Sequence, residues 1–243
     1  MEKNKLVTIG VIVALVLVGA YLLMGNQPTV RAQGESTIEV IPDKVSVYLV
    51  IETRNESQSV SQLENTRIAE RVREQLSFRG VAAENIQFSG FSSYPEYDYT
   101  NGRSVPIGFV TRQDVIVEVS DFAHVSDVVT AGIAGGAYVS TISLELSQDA
   151  QSRYKIQAIE AASIDARAKA EAQARGLGKR LGGLVAVESQ DFNYYPMPYY
   201  ARGGEGVAST AELDEAKAAA ASIAPREVDV SAHVIVTYRL QAF

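Results

Sequence analysis

Residues 44–80 read KVSVYLVIETRNESQSVSQLENTRIAERVREQLSFRG, and the change of period inside this stretch sets the fold class. Val45, Val47, Leu49 and Ile51 alternate with Lys44, Ser46, Tyr48 and Val50, the two-residue period of a strand that buries one face. Val60, Leu63, Ile68, Val72 and Leu76 then recur at helical spacing. Ser57 or Ser59 stands at the N-cap, and Gly80 follows at C′, where a left-handed residue closes a helix. A strand feeding an amphipathic helix predicts an α+β domain.

Upstream, Pro42 interrupts the strand that starts after Gly34-Glu35, so this strand is expected to bend there or to lie at an edge. Downstream, Ile86–Tyr99 and Ile107–Ser120 read as two strands. Asn101-Gly102 between them suits a type I′ hairpin turn, because both residues accept positive φ. Asp121 caps a helix over Phe122–Ile133 that ends at Gly135-Gly136. Tyr138–Leu146 is a strand with Ile142, Leu144 and Leu146 on one face. The order β-α-β-β-α-β over residues 34–147 predicts the ferredoxin-like, split-βαβ arrangement.

Residues 148–243 predict a long helix and two further strands. The helix spans Asp149–Leu181, with an apolar stripe of Ile156, Ile159, Ala162, Ala166, Ala170, Ala174, Leu177 and Leu181. Asp165–Lys169 and Glu171–Arg175 are i,i+4 pairs on its wet side. The strands are Val185–Phe192 and Glu227–Gln241. Residues 193–225 between them read as a loop insertion with one short helix.

The N-terminus is different in kind. Leu6–Met24 is an uncharged run of 19 residues, about 28 Å long as a helix, which matches one hydrocarbon core. Lys3 and Lys5 precede it, which places residues 1–5 in the cytoplasm and the remainder outside. A cleaved signal peptide ending near Val30 and Ala32 is the alternative, although the run exceeds the usual ~7–15 residues of such a segment. The expected protein is single-pass in the cell membrane. Residues 25–33 form a linker, and residues 34–243 form an extracellular or periplasmic ectodomain.

Composition excludes much chemistry. The chain has 243 residues, no Cys, two His and net charge −7. Losing Glu2, Lys3 and Lys5 with the membrane segment makes the rest one unit more acidic, which argues against nucleic acid. Without cysteine there is no disulfide, thiol nucleophile or zinc ribbon. His124 and His233 have no HxH or HExxH partner, so no metal site is expected. The glycines of Gly176-Leu-Gly178-Lys-Arg-Leu-Gly182 follow a helix instead of opening one, so they terminate it and do not cradle phosphate. Asp98–Ser104 lacks the first carboxylate of a calcium loop, since Tyr97 occupies that position. No Gly-x-Ser-x-Gly elbow occurs. No catalytic, cofactor-binding or metal-binding residue is assigned. Asn55-Glu56-Ser57 is a lone glycosylation sequon on the exported side.

Tyrosine is the one departure from background. Tyr94, Tyr97, Tyr99, Tyr194, Tyr195, Tyr199 and Tyr200 cluster beside Pro95, Pro196 and Pro198, and the first five are the candidate contact residues. They are either loop residues covering the core edge or a shared contact surface, since tyrosine brings large contact area at low entropy cost.

Several of these features together resemble the SIMPL-domain family of extracytoplasmic proteins. They are Gly34-Glu35, Pro42-Asp43, Gly80-Val81, Tyr94-Pro95-Glu96-Tyr97, Gly108-Phe109, Asp165-Ala166-Arg167-Ala168-Lys169-Ala170, Leu177-Gly178 with Leu181-Gly182, and the valine run from Val228 to Tyr238. Ser36 stands where the family often has a second glycine, and 201–224 looks like an insertion. The resemblance implies a periplasmic or cell-surface protein, in some members assembled into large homo-oligomers, with a link to envelope or oxidative stress tolerance. It implies no catalytic residues.

The sequence therefore predicts a non-enzymatic, membrane-anchored protein that acts by homo-oligomeric assembly or by binding an envelope partner. A glycan- or peptide-binding module using the tyrosine loops is the alternative. A hydrolase built on His124 or His233 with a distant carboxylate is a third class, requiring one histidine in a cleft beside an acid.

Overall fold

The computed structural model describes residues 28–99, 102–200 and 226–242. The expected membrane segment Leu6–Met24, the turn residue Asn101 and the insertion at 201–224 lie outside the described residues. The described chain is mixed α+β: β1 Thr29–Val40, β2 Lys44–Asn55, α1 Gln58–Phe78, β3 Ile86–Asp98, β4 Val105–Val119, α2 Val125–Gly135, β5 Tyr138–Glu145, α3 Gln148–Gly176, β6 Arg180–Tyr194, β7 Met197–Tyr200 and β8 Val228–Gln241. It divides into two compact units.

One unit comprises residues 39–152 with 194–200 and 226–229. Its sheet has the order β3-β4-β2-β5-β7. β2 pairs antiparallel with β4 on one side, from Val45↔Val119 to Asn55↔Phe109, and with β5 on the other. The order β3-β4-β2-β5 is that of a split βαβ unit, in which each helix crosses from one strand to a non-adjacent one. The alternation in β2 explains one side of the core, but the strand does not bury one face only, since Ser46 and Val50 on the other face are buried too. Val45, Val47, Leu49 and Ile51 are fully buried with Val115 and Val117 of β4, Leu144 of β5, Val72 and Leu76 of α1, and Val125 and Val129 of α2. Burying each such side chain stabilises the fold by about 1.5–3 kcal/mol.

Helix ends follow local chemistry with one exception. Asp121 Oδ1 accepts from the Ala123 amide at 2.9 Å and opens a short 3-10 turn, Phe122–His124, before α2. Gly136 closes α2 at φ 105°, where a side chain would be strained. The exception is Ser57. It occupies the N-cap of α1, yet its hydroxyl bonds to Ser59 Oγ instead of capping an amide. The expected stripe of α1 also needs correction, because Val60 and Leu63 are exposed and Ser61 and Asn65 are buried in their place. The first half of this helix docks through hydrogen bonds, described below, and only its second half through apolar packing.

The other unit comprises described residues 28–38, 153–193 and 230–242. Its sheet has the order β1-β8-β6. The expected single strand through Pro42 is in fact two strands, which break at Ile41-Pro42-Asp43 and enter different sheets. Proline cannot donate to a ladder, and Asp43 spends its carboxylate on Ser147 N at 2.6 Å and Ser147 Oγ at 2.7 Å. Residues 29–33, expected as linker, already belong to β1.

The buried stripe of α3 is Ala158, Ala162, Ala166, Ala170 and Ala174. Ile156 and Leu177, expected in that stripe, are exposed. Gly34 of β1 explains why only alanine fits. A Cβ there would lie 2.0 Å from the Ala162 carbonyl oxygen and 2.4 Å from Ala166 N, so strand and helix backbones touch. α3 stops at Gly176, earlier than expected. Gly178, at φ 65°, then turns the chain into β6. On the wet side Lys169 Nζ–Asp165 Oδ2 is 2.7 Å. Glu171 pairs with Arg167 at 3.0 Å, where Arg175 was expected. β6 begins at Arg180 and runs to Tyr194, longer than expected at both ends, and β7 adds a short strand inside the expected loop.

Candidate functional site

The feature that stands apart is the outer part of the β3–β4 hairpin. β2 ends at Asn55, opposite Phe109. The hairpin continues past that point through Glu96↔Gly108, Tyr97↔Pro106 and Asp98↔Val105, so residues 96–98 and 105–108 form a two-stranded arm that no third strand joins among the described residues. Gly108 makes the exit possible. Its φ is 154°, and a Cβ there would lie 2.9 Å from the Asn55 carbonyl oxygen. A register shift between Glu96 and Tyr97 adds local twist.

The arm exposes apolar surface. Tyr94, Tyr97, Tyr99, Val105 and Ile107 are between 42% and 73% exposed. The Tyr97 and Tyr99 rings lie 6.4 Å apart, tilted by 47°, within the range of a paired aromatic contact. Val105 and Ile107 were not singled out from sequence. Their signal was the pairing register, which shows how far a hairpin outruns its neighbouring strand.

A chain of buried hydroxyls fixes the root of the arm. Ser61 Oγ of α1 lies 3.1 Å from Thr53 Oγ1 of β2 and 2.9 Å from Thr111 Oγ1 of β4. Thr111 Oγ1 donates to Ser93 Oγ of β3 at 3.0 Å. Asn65 Nδ2 donates to the carbonyls of Ile51 and Thr111 at 3.2 and 3.1 Å. These bonds join one helix to three strands immediately below Tyr94. On the other side of the root, Arg54 reaches Glu52 at 2.7 Å and Glu96 at 3.1 Å.

The second tyrosine group lies elsewhere. Tyr194 ends β6, and its hydroxyl meets Leu146 just past the end of β5, which β4 and β2 separate from β3. Tyr94, Tyr97 and Tyr99 are therefore not brought together with Tyr194 and Tyr195. Tyr194 is half-buried, and its hydroxyl oxygen accepts from the Leu146 amide at 2.7 Å. Burial pushes its pKa up, and the Leu146 bond opposes that rise. Tyr194 thus fastens the end of β5, while Tyr195 is 78% exposed.

The polar groups elsewhere form ion pairs and hydrogen bonds, among them the histidine–acid contact at a cavity rim that the hydrolase class requires. Lys44 Nζ contacts Glu118 at 2.9 Å and Glu145 at 3.1 Å, and Tyr48 donates to Glu145 at 3.2 Å. Burial works to lower the Lys44 pKa, but the bonds to Glu118 and Glu145 outweigh it and the net shift is upward. Burial, and then the Glu145 charge, raises Tyr48. His124 Nδ1 is 3.0 Å from Asp121 Oδ2, both groups well exposed, at the rim of a cavity of about 350 Å³ lined also by Arg79, Glu118 and Asp127. His233 lies on β8 with its Nδ1 buried and unpartnered. Among the described residues no cluster of three or more metal-ligating side chains occurs.

Taken together, the described residues form an α+β chain with two antiparallel sheets and a projecting hairpin arm. The chain belongs to the SIMPL family, described as "Protein of unknown function (DUF541)", whose pattern it matches over residues 30–238. It is similar to the "Uncharacterized protein YggE" of Escherichia coli (strain K12), at 23% identity over 175 residues, covering 70% of this chain and 69% of that one. The protein of the same name from Shigella flexneri matches to the same extent.

Proposed function

We propose that this protein is a non-enzymatic, membrane-anchored component of the cell envelope that acts by homo-oligomeric assembly or partner binding through the β3–β4 arm. The single observation that supports this reading is the arm itself. Tyr97, Tyr99, Val105 and Ile107 stand exposed on a two-stranded projection whose root is rigidly bonded. Large apolar side chains gathered on a projection are what interface centres use, and each ring buried there contributes about 1.5–3 kcal/mol. Leu6–Met24 is the anchor in this reading and places the domain outside the cytoplasm. Family resemblance supports an envelope location and a connection with stress tolerance.

The glycan- or peptide-binding alternative is less well supported. It needs Tyr94, Tyr97 and Tyr99 around one pocket with Tyr194 and Tyr195, and Tyr194 ends β6 with its hydroxyl at Leu146 beside β5, which β4 and β2 separate from the β3 edge.

The test is the mass of the full-length chain in mild detergent by light scattering. The native chain is expected at a multiple of the 26.2 kDa protomer, and the Tyr97→Ser, Tyr99→Ser double variant at a lower mass. A double variant of unchanged mass and unchanged thermal stability counts against the arm.

A further inference from the structure

We infer that the first half of β6 is a pairing edge for a second copy of this chain, with residues 180–188 hydrogen-bonded antiparallel to the same residues of the partner about a two-fold axis at Leu184. The inference rests on the assembly reading above and names a surface that closes the assembly. Its first support is a comparison of edges. The two sheets have four edge strands, β1, β6, β3 and β7, and natural edges are usually blunted against pairing by charge, proline, bulges or shortness. β3 carries Pro95 and register shifts at Ser89/Ser92 and Glu96/Tyr97. β7 is four residues long and contains Pro198. β1 points Arg31, Glu35 and Glu39 to solvent. β6 differs, because Leu181–Val187 reads LGGLVAV, with no charge and no proline.

The second support is exposure on both faces. Leu184, Val185 and Val187 are 53%, 50% and 54% exposed. Successive strand side chains point to opposite faces, so neither face of this segment is covered. The space around Gly183 is open, which lets another backbone approach. An apolar segment open at its edge and on both faces is a template for main-chain pairing.

The third support is self-complementarity. With Leu184 opposite itself, Gly183 faces Val185, Leu181 faces Val187, and Arg180 faces Glu188 at both ends of the ladder. Moving the axis by one residue to Val185 sets Arg180 against Gln190 and Glu188 against Gly182, and both charge pairs are lost. Glu188 already contacts Arg31 at 3.1 Å, and Arg180 has contacts of its own. A carboxylate accepts several bonds at once, so the intermolecular pair adds to these. Charge complementarity at a single register identifies a second copy of this chain, and no unrelated strand, as the occupant. Joining two edges gives a continuous six-stranded sheet, β1-β8-β6 followed by its symmetry mate.

The test uses the full-length chain in its membrane, and the absence of native cysteine makes it clean. Directly opposed residues in an antiparallel pair have Cα atoms about 4.5–5.5 Å apart, within disulfide reach. Each residue away from the axis adds about 7 Å to the separation of identical positions. Leu184→Cys is therefore expected to give a covalent dimer on mild oxidation at least ten-fold more efficiently than Leu181→Cys or Val187→Cys alone. Co-expressing the last two should restore cross-linking. Independently, Arg180→Glu should weaken association, and adding Glu188→Arg should recover it.

If the native chain is an oligomer but Leu184→Cys does not cross-link, the edge assignment is overturned and the assembly reading stands. Equal cross-linking at all three positions indicates random collision and also overturns it. If Leu184→Cys neither cross-links nor reacts with a water-soluble maleimide in vesicles, lipid covers the edge and the inference is wrong. A monomeric native chain overturns both readings.

Discussion

Asn65 offers a prediction whose sign depends on the buried network below the arm. It is fully buried, its Nδ2 serves the Ile51 and Thr111 carbonyls, and its Oδ1 has no partner. Asn65→Leu removes two hydrogen bonds, each worth about 0.5–1.5 kcal/mol net. It also removes an unpartnered buried oxygen whose desolvation costs about 1–3 kcal/mol. These nearly cancel, so the variant should lie within about 1 kcal/mol of the native chain. Asn65→Ala makes the same polar changes and leaves a cavity, which adds about 1–3 kcal/mol of destabilisation. Asn65→Asp sets a carboxylate against two carbonyl oxygens in a dry site, a loss of about 3–5 kcal/mol. Thermal unfolding of the full chain in detergent, followed by far-ultraviolet circular dichroism, reads the series at about 2–4 °C per kcal/mol. The expected order of stability is Leu above Ala above Asp. An aspartate variant as stable as the leucine one would refute the reasoning, because it would mean that Asn65 does not face two acceptors.

Gly34→Val should be severely destabilising, by about 3 kcal/mol or more, because its Cβ meets backbone atoms of α3 that cannot rotate away; a thermal transition unchanged by this substitution contradicts the close approach. Tyr194→Phe should cost about 1 kcal/mol through the lost Leu146 bond and leave the oligomeric mass unchanged, which light scattering checks. Lys44 has a folded pKa above its ordinary 10.5, so its contribution is complete below the unfolded value and is lost as pH rises through the folded one. Tyr48, also raised, acts in the same direction. Melting temperature should therefore fall on the alkaline side, and Lys44→Met should flatten that fall; an identical alkaline limb in the variant would remove Lys44 as its source.

Much of the fold was legible because its signals are local. The inward set of β2, the Asp121 cap and the Gly136 terminus each act within a few residues and lie where the sequence places them, whereas the burial of Ser46 and Val50 depends on what covers the other face. The errors arose where a residue's role depends on distant backbone. Ser61 and Asn65 look like a wet helix face until Thr53 and Thr111 are placed beneath them. Ile156 fits an apolar stripe by spacing, but Gly34 brings β1 so close that only alanines can occupy the contact. β6 outruns its expected bounds because a strand uncovered on both faces has no reason to alternate. The candidate site was half legible. Tyr97 and Tyr99 announce themselves by composition, whereas Val105 and Ile107 join them only through register. The similar Tyr-Pro surroundings of Tyr194 and Tyr195 gave no hint that β7 forms the opposite edge.

The central claim is that this chain works by association, and the mass of the native full-length protein in mild detergent tests it most directly. The account predicts a discrete species at an integer multiple of 26.2 kDa, once bound detergent is subtracted, which persists on dilution. A single species at the protomer mass across the same dilution range would contradict it.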